Sequence, residues 1–297
     1  MMTRGVEILL SGVSLGLLYA LIALGFVIVF KATRTVNFAH ASFLLFGVWV
    51  VAQTSPHIGF AAAVALGLVA AGTLGLAVER LLLSRVDGRK HDALAILTIG
   101  VNVVLTAELS WRIGESVLPL GAPWDGHVVH FGSVVLPLSV IITILTVPLL
   151  IAGLAAVLRH TGWGLAMRAS IEDREGAALA GVRLKRVSAG AWIAAGILAV
   201  AAGIGLASFP SPGVAVSTGT AAIKALPAAI IGGLDSLGGA IVGGLVIGIA
   251  EVTVAEYQDA LSFLGRGLGD VVAYVIMICI LLCRPSGLFG AKEVSRA

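Results

Sequence analysis

Charge is what this sequence has least of. Only 12% of its 297 residues are Asp, Glu, Lys or Arg, where a soluble domain carries about 25%. Hydrophobic residues make up 59%, too many for a chain of this size to hide in one water-soluble core. Lipid is the expected solvent for the excess. Cysteine is nearly absent: Cys279 and Cys283 stand one helical turn apart in the last apolar stretch and read as buried thiols. With few Cys and scattered His, no metal centre is expected. The chain has no G-x-x-x-x-G-K-[ST] loop to cradle a nucleotide. It has no H-E-x-x-H or Ser–His arrangement at membrane depth, which argues against an intramembrane enzyme. A catalytic site, a cofactor and a nucleic-acid partner are not expected.

What the chain has is long apolar runs. About 20 apolar residues cross a bilayer as a helix. Such runs fall near residues 7–30, 37–55, 60–83, 93–112, 134–158, 188–209, 221–256 and 268–283. They predict an all-α integral membrane protein, one transmembrane domain over 1–297 with about eight spans. The run 221–256 is too long for one span. It is interrupted by Ile231-Gly232-Gly233-Leu234-Asp235-Ser236, which predicts a broken helix around 232–236. The first run, Ile8 to Phe30, is longer than the apolar core of a cleaved signal. Glycine is plentiful, 38 of 297 residues. Small residues let membrane helices approach closely, and the pairs Gly12/Gly16, Gly239/Gly243 and Gly244/Gly248 have the spacing for it.

Fifteen of the nineteen Lys and Arg residues fall in one set of loops. This set holds Lys31 and Arg34, then Arg80 to Lys90, Arg159 to Arg186, and Arg284 to Arg296. Such an excess marks the cytoplasmic side, placing the N-terminus outside and the C-terminus in the cytoplasm. The segment 113–133 then lies outside. Its Trp124-Asp125-Gly126-His127 offers an Asp-Gly turn for a small hairpin. His127 and His130 read as solvated loop residues rather than as a metal pair.

The loop 159–187 is the most informative on the cytoplasmic side. Ser170 and Asp173 have near capping-box spacing, acidic residues fill the next turn, and Gly181 sits where a C-terminal cap belongs. A helix over 171–181 is predicted outside the bilayer. A helix that short is marginal in water, so it should pack on something. Its alanine face suits a partner's groove, although an ordinary connecting helix would read the same way.

Here the residues resemble a known family. Glu175-Gly176-Ala177-Ala178-Leu179-Ala180-Gly181 resembles the E-A-A-x-x-x-G coupling loop of ABC importer permeases, with Gly176 in place of the first Ala. Gly164-Leu165-Ala166-Met167-Arg168-Ala169 followed by Glu172-Asp173-Arg174-Glu175 resembles the branched-chain amino-acid permease family. Three more stretches agree: Val36-Asn37-Phe38-Ala39-His40, the glycine-rich Ala229 to Gly239, and Arg284-Pro285-Ser286-Gly287-Leu288-Phe289-Gly290. The resemblance implies a permease subunit in a bacterial cytoplasmic membrane. Two such permeases, identical or related, would form the path through surrounding lipid. Two cytoplasmic ATPases would bind Ser170, Glu172, Asp173, Arg174, Glu175, Ala177, Ala178 and Gly181. Their closure would push on the spans 134–158 and 188–209, and an extracytoplasmic binding protein would deliver the ligand. Branched-chain amino acids are the implied cargo. Ala41-Ser42 depart from the Gly and polar residue that commonly follow the family's N-F-A-H, leaving urea, short amides or aromatic acids as alternatives.

Candidate path residues are Asn37, His40, Ser42, Thr98, Asn102, Gly232, Gly233, Asp235 and Ser236. Each has a second reading. Asn37 can cap a helix start. His40 can be an internal hydrogen-bond partner. Thr98 and Asn102 can bond between helices. Asp235 can cap the returning helix. Glu108 and Arg112 read as a rim pair, and Glu251 and Glu256 as rim charges or a docking point for the binding protein. An ion-coupled carrier or channel would need more membrane-embedded acids and histidines than these.

Overall fold

A computed structural model describes residues 2–86, 91–132, 134–260 and 267–290. Arg89, Lys90, Arg266, Lys292 and Arg296 of the charge pattern lie outside the described residues. The elements are α1 (Met2–Thr33), α2 (His40–Ile58), α3 (Phe60–Leu81) with a 3₁₀ turn at Leu83–Arg85, and α4 (His91–Ile113). A hairpin of β1 (Val128–Phe131) and β2 (Val134–Pro137) precedes α5 (Leu138–His160). Then come α6 (Gly162–Glu172), α7 (Arg174–Leu179), α8 (Leu184–Leu206), α9 (Val216–Gly232), α10 (Leu237–Glu256) and α11 (Leu268–Cys283). Among the described residues, α1, α2, α3, α4, α5, α8 and α10 are long and apolar enough to cross a bilayer, and α9 and α11 are shorter apolar helices.

The bundle has two ends. The β-hairpin, the start of α1 and the end of α10 share one, where Glu7 accepts the Val135 N–H (2.8 Å) and Arg4 pairs with Glu256. The elements α6 and α7, the end of α1 and the α9–α10 break share the other. α1 lies at the centre, packed on α10, α8, α9 and α5, and every residue from Ser14 to Val29 is buried. A helix apolar on all faces belongs in such a position.

Glycine sets how closely these helices meet. A Cβ on Gly248 would stand 2.1 Å from the Gly16 nitrogen, and one on Gly244 2.4 Å from the Ala20 nitrogen. On the opposite face of α10, a Cβ on Gly239 would stand 2.0 Å from the Gly232 oxygen, and one on Gly243 2.1 Å from the Ala228 oxygen. The glycine pairs read from the sequence thus build two interfaces, α1–α10 and α9–α10, with backbones in contact.

Three details differ from the sequence expectations. Cys279 and Cys283 are exposed, not buried, because α11 lies at the edge of the bundle. The hairpin turns at Gly132 (φ 64°) with Phe131 opposite Val134. Asp125-Gly126 forms a separate turn, in which Asp125 Oδ2 accepts the Ala122 N–H (3.1 Å). The helix expected over 171–181 is not one rod but part of two, α6 and α7, broken at Asp173.

Candidate functional site

The α6–α7 break follows from capping. Thr161 caps α6 by accepting the Gly164 N–H (3.1 Å). Ser170 lies inside α6 and donates to the Met167 carbonyl (2.8 Å), so it caps nothing. Asp173 does: its Oδ1 accepts the N–H groups of Glu175 (3.0 Å) and Gly176 (2.9 Å). At the other end the Gly181 N–H donates to Ala178 and the Val182 N–H to Ala177. With Gly181 at φ 88° this is a left-handed cap that occupies two otherwise free carbonyls. Six residues bounded on both sides make α7 a rigid knob. Ala177 faces inward and is buried, whereas Leu179 is 90% exposed. Glu172, Glu175, Ala178 and Gly181 are exposed beside it.

Arginines fasten this knob to the bundle. Arg174 donates to the Ala32 carbonyl (3.1 Å) in the last turn of α1. Arg168 donates to the Leu158 and Arg159 carbonyls, occupying the end of α5. The direct tie from α7 therefore runs to the central helix α1, whereas the sequence reading emphasised only the flanking spans α5 and α8. A cavity of about 280 Å³ lies where α1, α3, α7 and α8 meet, and Glu79, Arg174, Lys185 and Ser188 line it.

The α9–α10 break lies at the same end. Gly232 and Gly233 (φ 91°) end α9. Ser236, not Asp235, caps α10 by accepting the Gly239 N–H (3.0 Å). Asp235 instead pairs with Arg34 (2.9 Å), and its carbonyl accepts from Lys31 (2.5 Å). The C-terminal stretch closes the junction. Leu288 N–H donates to Ile231 (2.7 Å) and Phe289 N–H to Gly232 (3.3 Å), satisfying carbonyls that a helix end leaves free.

Asn37, His40 and Thr98 are fully buried and Ser42 nearly so. Asn37 Oδ1 accepts the Ala39 N–H (3.0 Å), a turn just ahead of α2. Thr98 accepts the Phe38 N–H (3.2 Å), which ties α4 to this turn, and Ser42 donates to Ala39 (2.8 Å). Neither ring nitrogen of His40 makes a hydrogen bond of ordinary geometry, and the ring packs on Phe26 at 4.6 Å. Asn37 Nδ2 and Asn102 Oδ1 also lack partners. None of these residues lines the cavities described here.

Sequence reasoning missed a polar pocket in the hairpin-end half of the bundle. Lys224 on α9 bonds Glu251 of α10 (2.8 Å) and Asp270 of α11 (2.6 Å). Tyr19 of α1 donates to the second Glu251 oxygen (2.7 Å). Glu251 is therefore no solvated rim charge. Glu256 pairs with Arg4, and Glu108 with Arg112 as an exposed pair (2.6 Å). The signal that could have found the pocket was a lysine and an acid inside the interrupted run 221–256 and a further acid in the run 268–283, since an intramembrane charge needs a partner.

Antiparallel apolar helices, a buried central helix and glycine interfaces define a polytopic helical membrane protein. Residues 8–281 match the family described as branched-chain amino acid transport system / permease component, and the chain belongs to that family. It is 30% identical to the high-affinity branched-chain amino acid transport system permease protein LivH of Escherichia coli K12, over 96% of each chain. It is 29% identical to the corresponding protein BraD of Pseudomonas aeruginosa, over 97% of this chain and 96% of that one. A probable LivH of Methanocaldococcus jannaschii is 28% identical over 94% of this chain and 91% of its own. No solved structure is significantly similar.

Proposed function

We propose that this chain is the membrane-spanning subunit of an ATP-driven importer that takes up branched-chain amino acids by alternating access. The observation that carries this reading is α7, a doubly capped knob with an exposed Leu179, tied by Arg174 to the core helix α1. The names of its relatives support the cargo. The Lys and Arg excess supports a cytoplasmic α6–α7 end and an outer hairpin end, and the bacterial relatives support a bacterial inner membrane. Two ATPases grip the α7 knobs of two permeases, identical or related, and a binding protein docks at the hairpin end. ATP-driven closure of the ATPases moves α7, and the motion passes through Ala32 to α1.

In this reading the polar seal at Asn37, His40, Ser42, Thr98 and Asn102, with the packed break at Gly232, Gly233, Asp235 and Ser236, is the closed inner gate. Its opening exposes those unpartnered polar atoms to the cargo. The test is Glu175→Ala and Leu179→Asp in the purified complex. Glu175→Ala is expected to leave ATP hydrolysis running while leucine uptake fails. Leu179→Asp should weaken ATPase capture about tenfold or more, as loss of an interface anchor does. A thiol at Ala178, with both native cysteines replaced by Ser, should be labelled only from the cytoplasmic side. Labelling from outside, or leucine uptake by the purified chain alone, would overturn the proposal.

A further inference from the structure

Resting on that reading, we propose that the pocket between α1, α9, α10 and α11 is the permease's own subsite for the charged head of a zwitterionic cargo. Lys224 takes the carboxylate, and Glu251 with Asp270 takes the ammonium. The pocket encloses about 580 Å³, room for a small amino acid. Its wall is two-sided in chemistry. Ser211, Thr218 and Thr220 offer hydroxyls, while Leu15, Leu206 and Ile223 offer apolar surface. A branched aliphatic side chain with a charged head has the same division.

Groups of both signs in one pocket argue for a zwitterion rather than a plain anion or cation. Lys224 is one cation held by two carboxylates, so the described triad carries one negative charge in excess. That excess attracts an ammonium group, and the one lysine offers a partner to a carboxylate. The arriving carboxylate then replaces Asp270 on Lys224. Exposure shows which arm is free to exchange. The side chains of Lys224 and Glu251 are 19% and 13% exposed, and that of Asp270 is 74% exposed. Lys224–Glu251 is the fixed pair, braced by Tyr19. Asp270 is the arm that releases the lysine and swings to the ammonium. No bond is made or broken: the cargo's carboxylate pairs with Lys224 and its ammonium with Asp270, while the Lys224–Glu251 pair stays in place.

A cross-helix clamp with no ligand role would show the same contacts, so the test uses a readout that a clamp would not move. Binding of radiolabelled L-leucine to the purified permease–ATPase complex is measured without the binding protein. Leucine lacking its amino group (4-methylpentanoate) and leucine lacking its carboxylate (3-methylbutylamine) serve as competitors. Wild type should prefer leucine to either. Asp270→Asn should weaken leucine about tenfold, the scale of one charge-assisted hydrogen bond, and leave 4-methylpentanoate bound as tightly as before or more so, since its carboxylate no longer competes with Asp270 for Lys224. Lys224→Met should lose both acids. Size-exclusion elution checks that each variant is folded, and the exposed Asp270 gives the variant least able to disturb packing. Equal losses for leucine and 4-methylpentanoate, or none, would overturn the subsite. If the intact importer moves no branched-chain amino acid at all, the functional reading itself fails, which uptake by wild type tells apart from failure of the subsite.

Discussion

The two ends of the bundle are held together by different means. At the α6–α7 end the ties are largely backbone. Leu288 and Phe289 donate to the end of α9, Gly239 lies on Gly232, and the arginines at 168 and 174 grip main-chain carbonyls. At the hairpin end side-chain ion pairs join the backbone contacts: Arg4–Glu256, Lys224–Glu251 and Lys224–Asp270. Backbone contacts fix spacing and do not exchange partners. Ion pairs re-form with whatever charge arrives. A permease that must transmit force at one end and accept cargo at the other fits this division.

The comparison breaks most completely if backbone contact is not what sets the helix spacing. Gly248→Leu should abolish a monodisperse detergent peak, because its Cβ alone would stand 2.1 Å from the Gly16 nitrogen. Ordinary overpacking costs about 1–3 kcal/mol, and here two backbones must part. A stable, well-behaved variant would refute tight α1–α10 packing. A middle-sized effect sharpens it. Asp173→Ala removes the α7 cap, worth about 1 kcal/mol locally. The bundle's thermal midpoint should hold while ATPase coupling to uptake falls. The smallest effect comes from the exposed pair Arg34–Asp235. Arg34→Gln should cost about 0–1 kcal/mol in thermal unfolding, a difference that high salt erases.

The spans were legible because hydropathy and length suffice to place them. The glycine pairs were legible because their spacing has one geometric use in an apolar helix. The capped knob was legible only in part. Gly181 was read correctly as the C-terminal cap, but Ser170 was taken for the cap that Asp173 supplies. α6 was missed, although Thr161 accepting from Gly164 is a local start signal. The pocket was not legible at all. Lys224, Glu251 and Asp270 lie on three helices, and only the tertiary fold shows that one lysine serves both acids.

The strap 284–290 also bears on how the protein is made. The carbonyls at the end of α9 receive Leu288 and Phe289, residues synthesised after every helix described. Until then the newly inserted chain carries an unfinished seam at its α9–α10 elbow. A nascent chain that stalls before this point leaves the Ile231 and Gly232 carbonyls without those donors.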